Sequence, residues 1–245
     1  MKNIILATAA LALSAGVALA DGHAKTVRMG TEGAYPPYNF LNDAGEIDGF
    51  EREVGDELCK RAELTCEWVV NDWDSIIPNL TSGNYDTIIA GMSITAERDE
   101  VIDFTQNYIP PAASAYVAKS ADADLAGGII AAQTNTIQAG YIAESGATLL
   151  EFATYDETVA AVVSGEADAV FADKDALAPT VEESGGELTF AGDEVPLGGG
   201  VGMGLRESDA ELKAKFDAAI TSMKEDGSLN AAIKKWFGDD AVVYE

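Results

Sequence analysis

Residues 73–90 read WDSIIPNLTSGNYDTIIA, and residues 155–172 read YDETVAAVVSGEADAVFA, the same phrase again at a constant offset of 82 positions. Asp74 answers to Asp156, Ser82 to Ser164, Gly83 to Gly165, Asp86 to Asp168 and Ala90 to Ala172, and an aromatic residue, Trp73 or Tyr155, heads each copy. Each copy predicts an amphipathic helix, a Ser-Gly stop and a short buried strand. Two such units imply two lobes of similar α/β topology, each built on a largely parallel sheet. Open α/β sheets bind ligands beyond the carboxyl ends of their strands, so the residues just past each copy are where chemistry is expected.

Past the first copy, whose strand is predicted over Tyr85–Ala90, the chain continues GMSITAERDEVIDFT. This reads as a turn over Gly91–Thr95 and a helix with Thr95 as its N-cap. Arg98 falls in the first turn of that helix, where the macrodipole favours an acid by about 0.3–1 kcal/mol. Two readings stand. An anion held by the guanidinium fork, the Ser93 and Thr95 hydroxyls and backbone N–H groups near Gly91 removes the conflict; alternatively Arg98 is a surface cation paired with Glu97 or Asp99. Past the second copy lies Asp173, so facing lobes offer a cation on one side and a carboxylate on the other, a match for a zwitterion.

The first lobe opens with a strand over Lys25–Gly30 and the segment TEGAYPPYNF, which sets Glu32, Tyr35 and Tyr38 around a Pro-Pro turn. The segment GEIDGFERE leads through Phe50 into a helix over Glu51–Arg61. Rings with one carboxylate suit an aliphatic stem ending in a positive charge. Plain core packing is the competing reading of Tyr38 and Phe50. Two crossings between lobes are expected near Pro110–Tyr116 and Pro196–Met203. Gly198–Gly204 either absorbs hinge rotation or marks a strand packed too closely for side chains.

Residues 1–20 read as a targeting segment, with Lys2 ahead of an apolar run and small residues at positions 18–20, so the exported chain is expected to begin near Asp21. No Cys stands directly after the expected cleavage site, which argues against a lipid-anchored lipoprotein. In an oxidising compartment Cys59 and Cys66, the chain's two cysteines, are expected to form a structural disulfide. The single histidine, His23, leaves little from which to build a metal site. A formal net charge of −27, from 42 acidic and 15 basic residues, disfavours nucleic acid and anionic membranes as partners.

YPPYNF, GF, ELCK, WDSIIPNLTSGNYDTIIAGMSIT, ERDEVIDFT and IKKWFG together resemble the periplasmic polar amino-acid-binding proteins of ABC transporters, bacterial extracellular solute-binding family 3. The likeness is strongest to the histidine and lysine/arginine/ornithine branch and spans essentially the whole chain after position 20. It implies the type II periplasmic binding protein fold, two α/β lobes with mixed, largely parallel sheets joined by two hinge strands, with residues 21–112 and 200–245 in lobe I and 113–199 in lobe II. It also implies a monomer in the periplasm, without cofactor, that captures a free polar, basic L-amino acid between the lobes and delivers it to the membrane permease subunits.

By the same resemblance Arg98 clamps the ligand carboxylate with help from Ser93, Gly91 and Thr95. Thr136 adds a hydroxyl, Asp173 takes the α-ammonium, Tyr35 and Phe50 sandwich the side chain, and Glu32 stands where binders of basic side chains carry an acid, usually Asp. The chain departs from the family's Gly-Thr-Thr turn with Thr134-Asn135-Thr136, and from its Ser-rich turn with Ala90-Gly91. The alternatives are a binder of glutamine or an opine, and a cyclohexadienyl (prephenate or arogenate) dehydratase on the same fold; no nucleophile-base pair is legible for the latter.

Overall fold

The computed structural model describes residues 26–245. The expected targeting segment and His23 lie outside the described residues. The chain runs through β1 (Val27–Thr31), a small antiparallel sheet of β2 (Ala34–Tyr35), β3 (Asn39–Leu41) and β4 (Ile47–Asp48), then α1 (Phe50–Arg61) and β5 (Cys66–Val70). A 3₁₀ turn at Trp73–Ser75 opens α2 (Ile76–Thr81), followed by β6 (Thr87–Ile88), α3 (Ala96–Asp99) and β7 (Asp103–Phe104).

Next come β8 (Ala113–Ala118), β9 (Ile129–Gln133), α4 (Ile137–Ser145), β10 (Thr148–Phe152), α5 (Tyr155–Ser164), β11 (Ala169–Asp173), α6 (Lys174–Glu183) and β12 (Thr189–Pro196). The chain ends with β13 (Gly204–Leu205), α7 (Ala210–Glu225) and α8 (Ser228–Phe237).

Two five-stranded sheets result, ordered β5-β1-β6-β13-β7 and β10-β9-β11-β8-β12. In the first, β1 runs parallel to β5 and β6; in the second, β9 runs parallel to β10 and β11. The internal repeat therefore occupies the same place in each sheet, its strand beside the sheet's founding strand. The shared aspartates explain the match. Asp86 and Asp168 each donate a backbone N–H to that strand, at Arg28 O and Ile129 O (both 2.8 Å), and each accepts the same residue's N–H on a side-chain oxygen, at 3.1 and 2.7 Å. One aspartate thus fixes the register of strand three against strand one in both units.

The sheets are mixed and largely parallel, as expected: four of the five strands in each run one way, and a single strand, β13 or β8, runs against its neighbours. β13 pairs antiparallel with β6 and β7, and β8 pairs antiparallel with β11 and β12. The strand expected over Tyr85–Ala90 is regular only at Thr87–Ile88, although Ile89 N still bonds Gly30 O at 2.9 Å. The helix expected in the first copy begins as a 3₁₀ turn and is short. Pro78 is accommodated in the first turn of α2, where the missing N–H costs nothing.

The segments that cross between the sheets lie side by side, joined where Val201 pairs with both Ser93 and Ile109. A side chain at Gly200 would meet Ile109 O at 2.5 Å, and Gly200 also sits at φ +87°, so close packing and a left-handed backbone both demand glycine there. The C-terminal helices pack back on α1, with Phe216, Ile220 and Met223 buried and Leu212 at the margin of the same cluster. Cys59 and Cys66 form a disulfide, with Cα atoms 6.2 Å apart, tying the last turn of α1 to the start of β5. No helix among the described residues is long and apolar enough to cross a membrane.

Candidate functional site

A small cavity of about 30 Å³ lies where the carboxyl ends of β1, β6, β9 and β11 converge. Of the residues anticipated from sequence, Glu32, Tyr35, Gly91, Ser93, Arg98, Thr136 and Asp173 line it. They come from four separate stretches of chain, around residues 32–35, 91–98, 136 and 173, and the fold brings them together.

Arg98 turns inward from α3. Its Nη1 donates to Ser93 O (2.8 Å), its Nη2 to Asn135 O (3.0 Å), and its Cζ lies 5.5 Å from the centre of the Trp73 ring. This replaces the surface ion pair with Glu97 or Asp99. Burial pushes the guanidinium down to about 10, while the charges of Asp173 and then Glu97 act in the opposite direction. With two of five N–H donors used on carbonyls, three stay available to an anion.

Asp173, at the end of β11, accepts from Tyr35 Oη on Oδ2 (2.6 Å) and from Gln138 Nε2 on Oδ1 (2.9 Å). Burial pushes its carboxyl up to about 6, opposed by the hydrogen bonds from Tyr35 and Gln138. Glu32 is 7% exposed and accepts from Gln133 Nε2 at 2.6 Å. Burial raises it to about 7 against that hydrogen bond, and the charges of Asp74, Glu51 and Asp156 add to the rise. Two desolvated carboxyls and one desolvated guanidinium therefore share one small space.

Three expectations need correction. Phe50 is fully buried and packs against Tyr108 (centroids 6.3 Å) and Phe237 (5.0 Å), away from the cavity wall. The other rings lining the cavity with Tyr35 are Trp73, Phe171 and Tyr155, the last meeting Tyr35 edge-on at 5.3 Å. Trp73 and Tyr155 are the paired aromatic heads of the internal repeat, a signal that was present in the sequence and pointed to the site.

Thr95 lies outside the inner cavity. Its Oγ1 accepts Arg98 N (3.2 Å) as the cap of α3, and it lines an outer groove instead. Gly91 borders the cavity, but its N–H donates to Glu51 Oε1 (2.6 Å) and so is engaged within the protein.

Thr136 reaches the cavity wall, but its hydroxyl proton is engaged within the protein. Its Oγ1 donates to Gln133 O (2.6 Å) and accepts Ala139 N (3.1 Å), capping α4 from a position on the cavity wall. The departure at Thr134-Asn135 shows in the backbone, where Asn135 takes φ +57°.

Glu51, Gln133 and Gln138 went unpredicted as site residues. Fully buried Glu51 accepts from Gly91 N, from Asn39 Nδ2 (2.6 Å) and from the Tyr108 hydroxyl, and Asn39 Oδ1 in turn holds Gly33 N (2.7 Å). It joins the two loops of the first sheet that border the cavity. Burial raises its carboxyl, and these three donors all favour the ionised form. No group of three or more potential metal-binding side chains occurs among the described residues.

Two mixed α/β sheets with this strand order, and a desolvated charge pattern at their shared mouth, match the type II periplasmic binding protein fold. Comparison with known proteins agrees. Residues 27–239 match the model of the bacterial extracellular solute-binding proteins, family 3, and the chain belongs to that family.

It is 31% identical to the lysine/arginine/ornithine-binding periplasmic protein of Escherichia coli, over 97% of each chain. It is 83% identical to a periplasmic His/Glu/Gln/Arg/opine family-binding protein from Silicibacter pomeroyi, whose crystal structure is a complex with lysine. That likeness has a TM-score of 0.88 and covers 89% of this chain and 100% of the other. An ancestral amino acid-binding protein described as a precursor of cyclohexadienyl dehydratase is 28% identical, with a TM-score of 0.77 over 86% of this chain and 95% of that one.

Proposed function

We propose that this protein captures a free basic L-amino acid, lysine or a close relative, between its two lobes and presents it to the permease of an ABC importer in the periplasm, after export through the segment at residues 1–20. The observation that carries the reading is the charge pattern of the cavity: Arg98 and Glu32 from the first sheet and Asp173 from the second line the same small space. Arg98 takes the α-carboxylate through its free N–H donors, Asp173 takes the α-ammonium, and the side chain runs between the Tyr35 and Trp73 rings toward Glu32. A ligand with two cationic ends and one anionic end neutralises both carboxyls and the guanidinium at once. The lysine complex of the 83% identical relative supports the same choice.

Nothing in this arrangement calls for chemistry. Binding energy goes into favouring the closed clamp, by the difference between the contacts made open and closed. Calorimetry with lysine, arginine, ornithine, histidine and glutamine tests the reading. Lysine or arginine should bind most tightly, and Glu32→Gln should weaken them more than glutamine. Absence of heat with every basic amino acid overturns it. Incubation with prephenate should yield no aromatic product; a product would shift the assignment to an enzyme.

A further inference from the structure

Two successive backbone carbonyls reach across the cleft. The Trp73 indole Nε1–H donates to Thr134 O at 3.0 Å, and Arg98 Nη2 donates to Asn135 O at 3.0 Å. Both donors follow strands of the first sheet, and both acceptors lie in the turn between β9 and α4. In an extended chain successive residues face opposite sides, so two adjacent carbonyls aimed the same way need a break in that pattern. Asn135 supplies it at φ +57°, a conformation that Asn tolerates better than other residues with a Cβ.

The donors are braced against each other. Arg98 lies over the Trp73 ring while its Nη1 is anchored on Ser93 O. Trp73 is 8% exposed, and an indole N–H at such a position needs an acceptor.

The other hydrogen bonds across the cleft, Tyr35 to Asp173 and Gln133 to Glu32, end on the carboxylates assigned to the ligand. The carbonyl pair ends on backbone oxygens of Thr134 and Asn135, which no cationic group of the ligand competes for, although Arg98 also holds the ligand carboxylate through its remaining N–H donors. From this difference we infer that the Trp73–Thr134 and Arg98–Asn135 hydrogen bonds form a latch that sets how long the cleft stays shut, whatever amino-acid side chain it holds. The inference rests on the amino-acid-binding reading above. Because the bonds form only when the lobes meet, losing one should raise the dissociation rate and leave association nearly unchanged. A hydrogen bond of ordinary net worth corresponds to about a 3- to 10-fold change.

Trp73→Phe keeps a ring on the cavity wall and removes only the donor. In stopped-flow displacement with lysine and with arginine, release should speed up about 3- to 10-fold, by the same factor for both. Asn135→Val, which disfavours a left-handed backbone, should also release faster, whereas Asn135→Gly should do so far less. Unchanged release in W73F, or a rise confined to one ligand, overturns the latch and leaves Trp73 as a stacking wall.

If W73F does not fold, the Asn135 pair decides alone, and equal release from its two variants overturns the proposal. A wild type that binds neither amino acid defeats the binding reading instead. Indole proton exchange then still tests the latch: the Trp73 proton should exchange more slowly than those of Trp68 and Trp236, whose acceptors Asp56 and Glu53 lie at the surface, and equal exchange overturns it.

Discussion

Glu32 and Asp173 are carboxyls held at about 7 and about 6, above ordinary values of 4.5 and 3.8, chiefly by burial. The folded protein therefore retains protons on them between about pH 4 and 7 that the unfolded chain has released. Stability carried by these two groups is greatest below about pH 4 and falls as pH rises through their folded values. Ligand binding has the opposite sign. A cationic side chain at Glu32 and an ammonium at Asp173 both require the ionised forms, so binding a basic amino acid near pH 6 should release protons. Affinity for lysine should fall by up to about tenfold per pH unit between about 7 and 6, where Glu32 protonates, and more steeply, up to about a hundredfold per unit, below about 6, where Asp173 protonates as well; glutamine, without a cation for Glu32, should show a shallower slope. Titration calorimetry in two buffers of different ionisation enthalpy measures the proton count. A lysine affinity flat from pH 8 to 5.5 would remove Glu32 and Asp173 from direct contact with positive charge.

At the scale of elements, Glu51 carries more than its place in a helix suggests. It sits in the first turn of α1, yet its two oxygens hold the turn after β6 through Gly91, the loop after β1 through Asn39 and Gly33, and the crossing segment through Tyr108. Glu51→Gln keeps the shape but sets an amide N–H₂ against one of these donors. It should cost about 1–3 kcal/mol of stability and weaken lysine binding although Glu51 does not border the cavity; urea unfolding and calorimetry on one sample would show both, and normal affinity in the variant would confine Glu51 to the core.

Its neighbour gives the contrast. Phe50→Ala should lose about 3–5 kcal/mol of stability by opening a cavity among Tyr108 and Phe237, with a smaller effect on affinity than Trp73→Ala. The reverse ranking would put Phe50 back on the binding surface.

These elements also show what a sequence can and cannot reveal. The repeat made the topology legible because Asp86 and Asp168 do the same local work in both sheets, and the rule for open sheets then located Arg98 and Asp173. Phe50 and Trp73 were harder. Both are large rings beside a helix start, and only the path of α1 across the sheet, a long-range property, turns one into the core and the other onto the cavity. Glu51 read as an ordinary first-turn acid because its partners lie 12, 40 and 57 positions away.

At the scale of the whole molecule, the net charge of −27 surrounds a cleft whose own lining is also acidic apart from Arg98. The summed field attracts a cation from well beyond contact and leaves a neutral zwitterion nearly unaffected. Association with lysine should therefore slow several-fold between about 0.02 and 0.5 M salt, as the Debye length shrinks from about 20 Å to under 5 Å. Glutamine association should change little over the same range, and both dissociation rates should hold nearly constant because the enclosed contacts are shielded from salt. Stopped-flow tryptophan fluorescence can follow both ligands, since Trp73 borders the cavity. Parallel salt dependence for the two would mean that the acidic surface does not guide ligand capture, and preference for a basic amino acid would then have to arise inside the cleft, at Glu32.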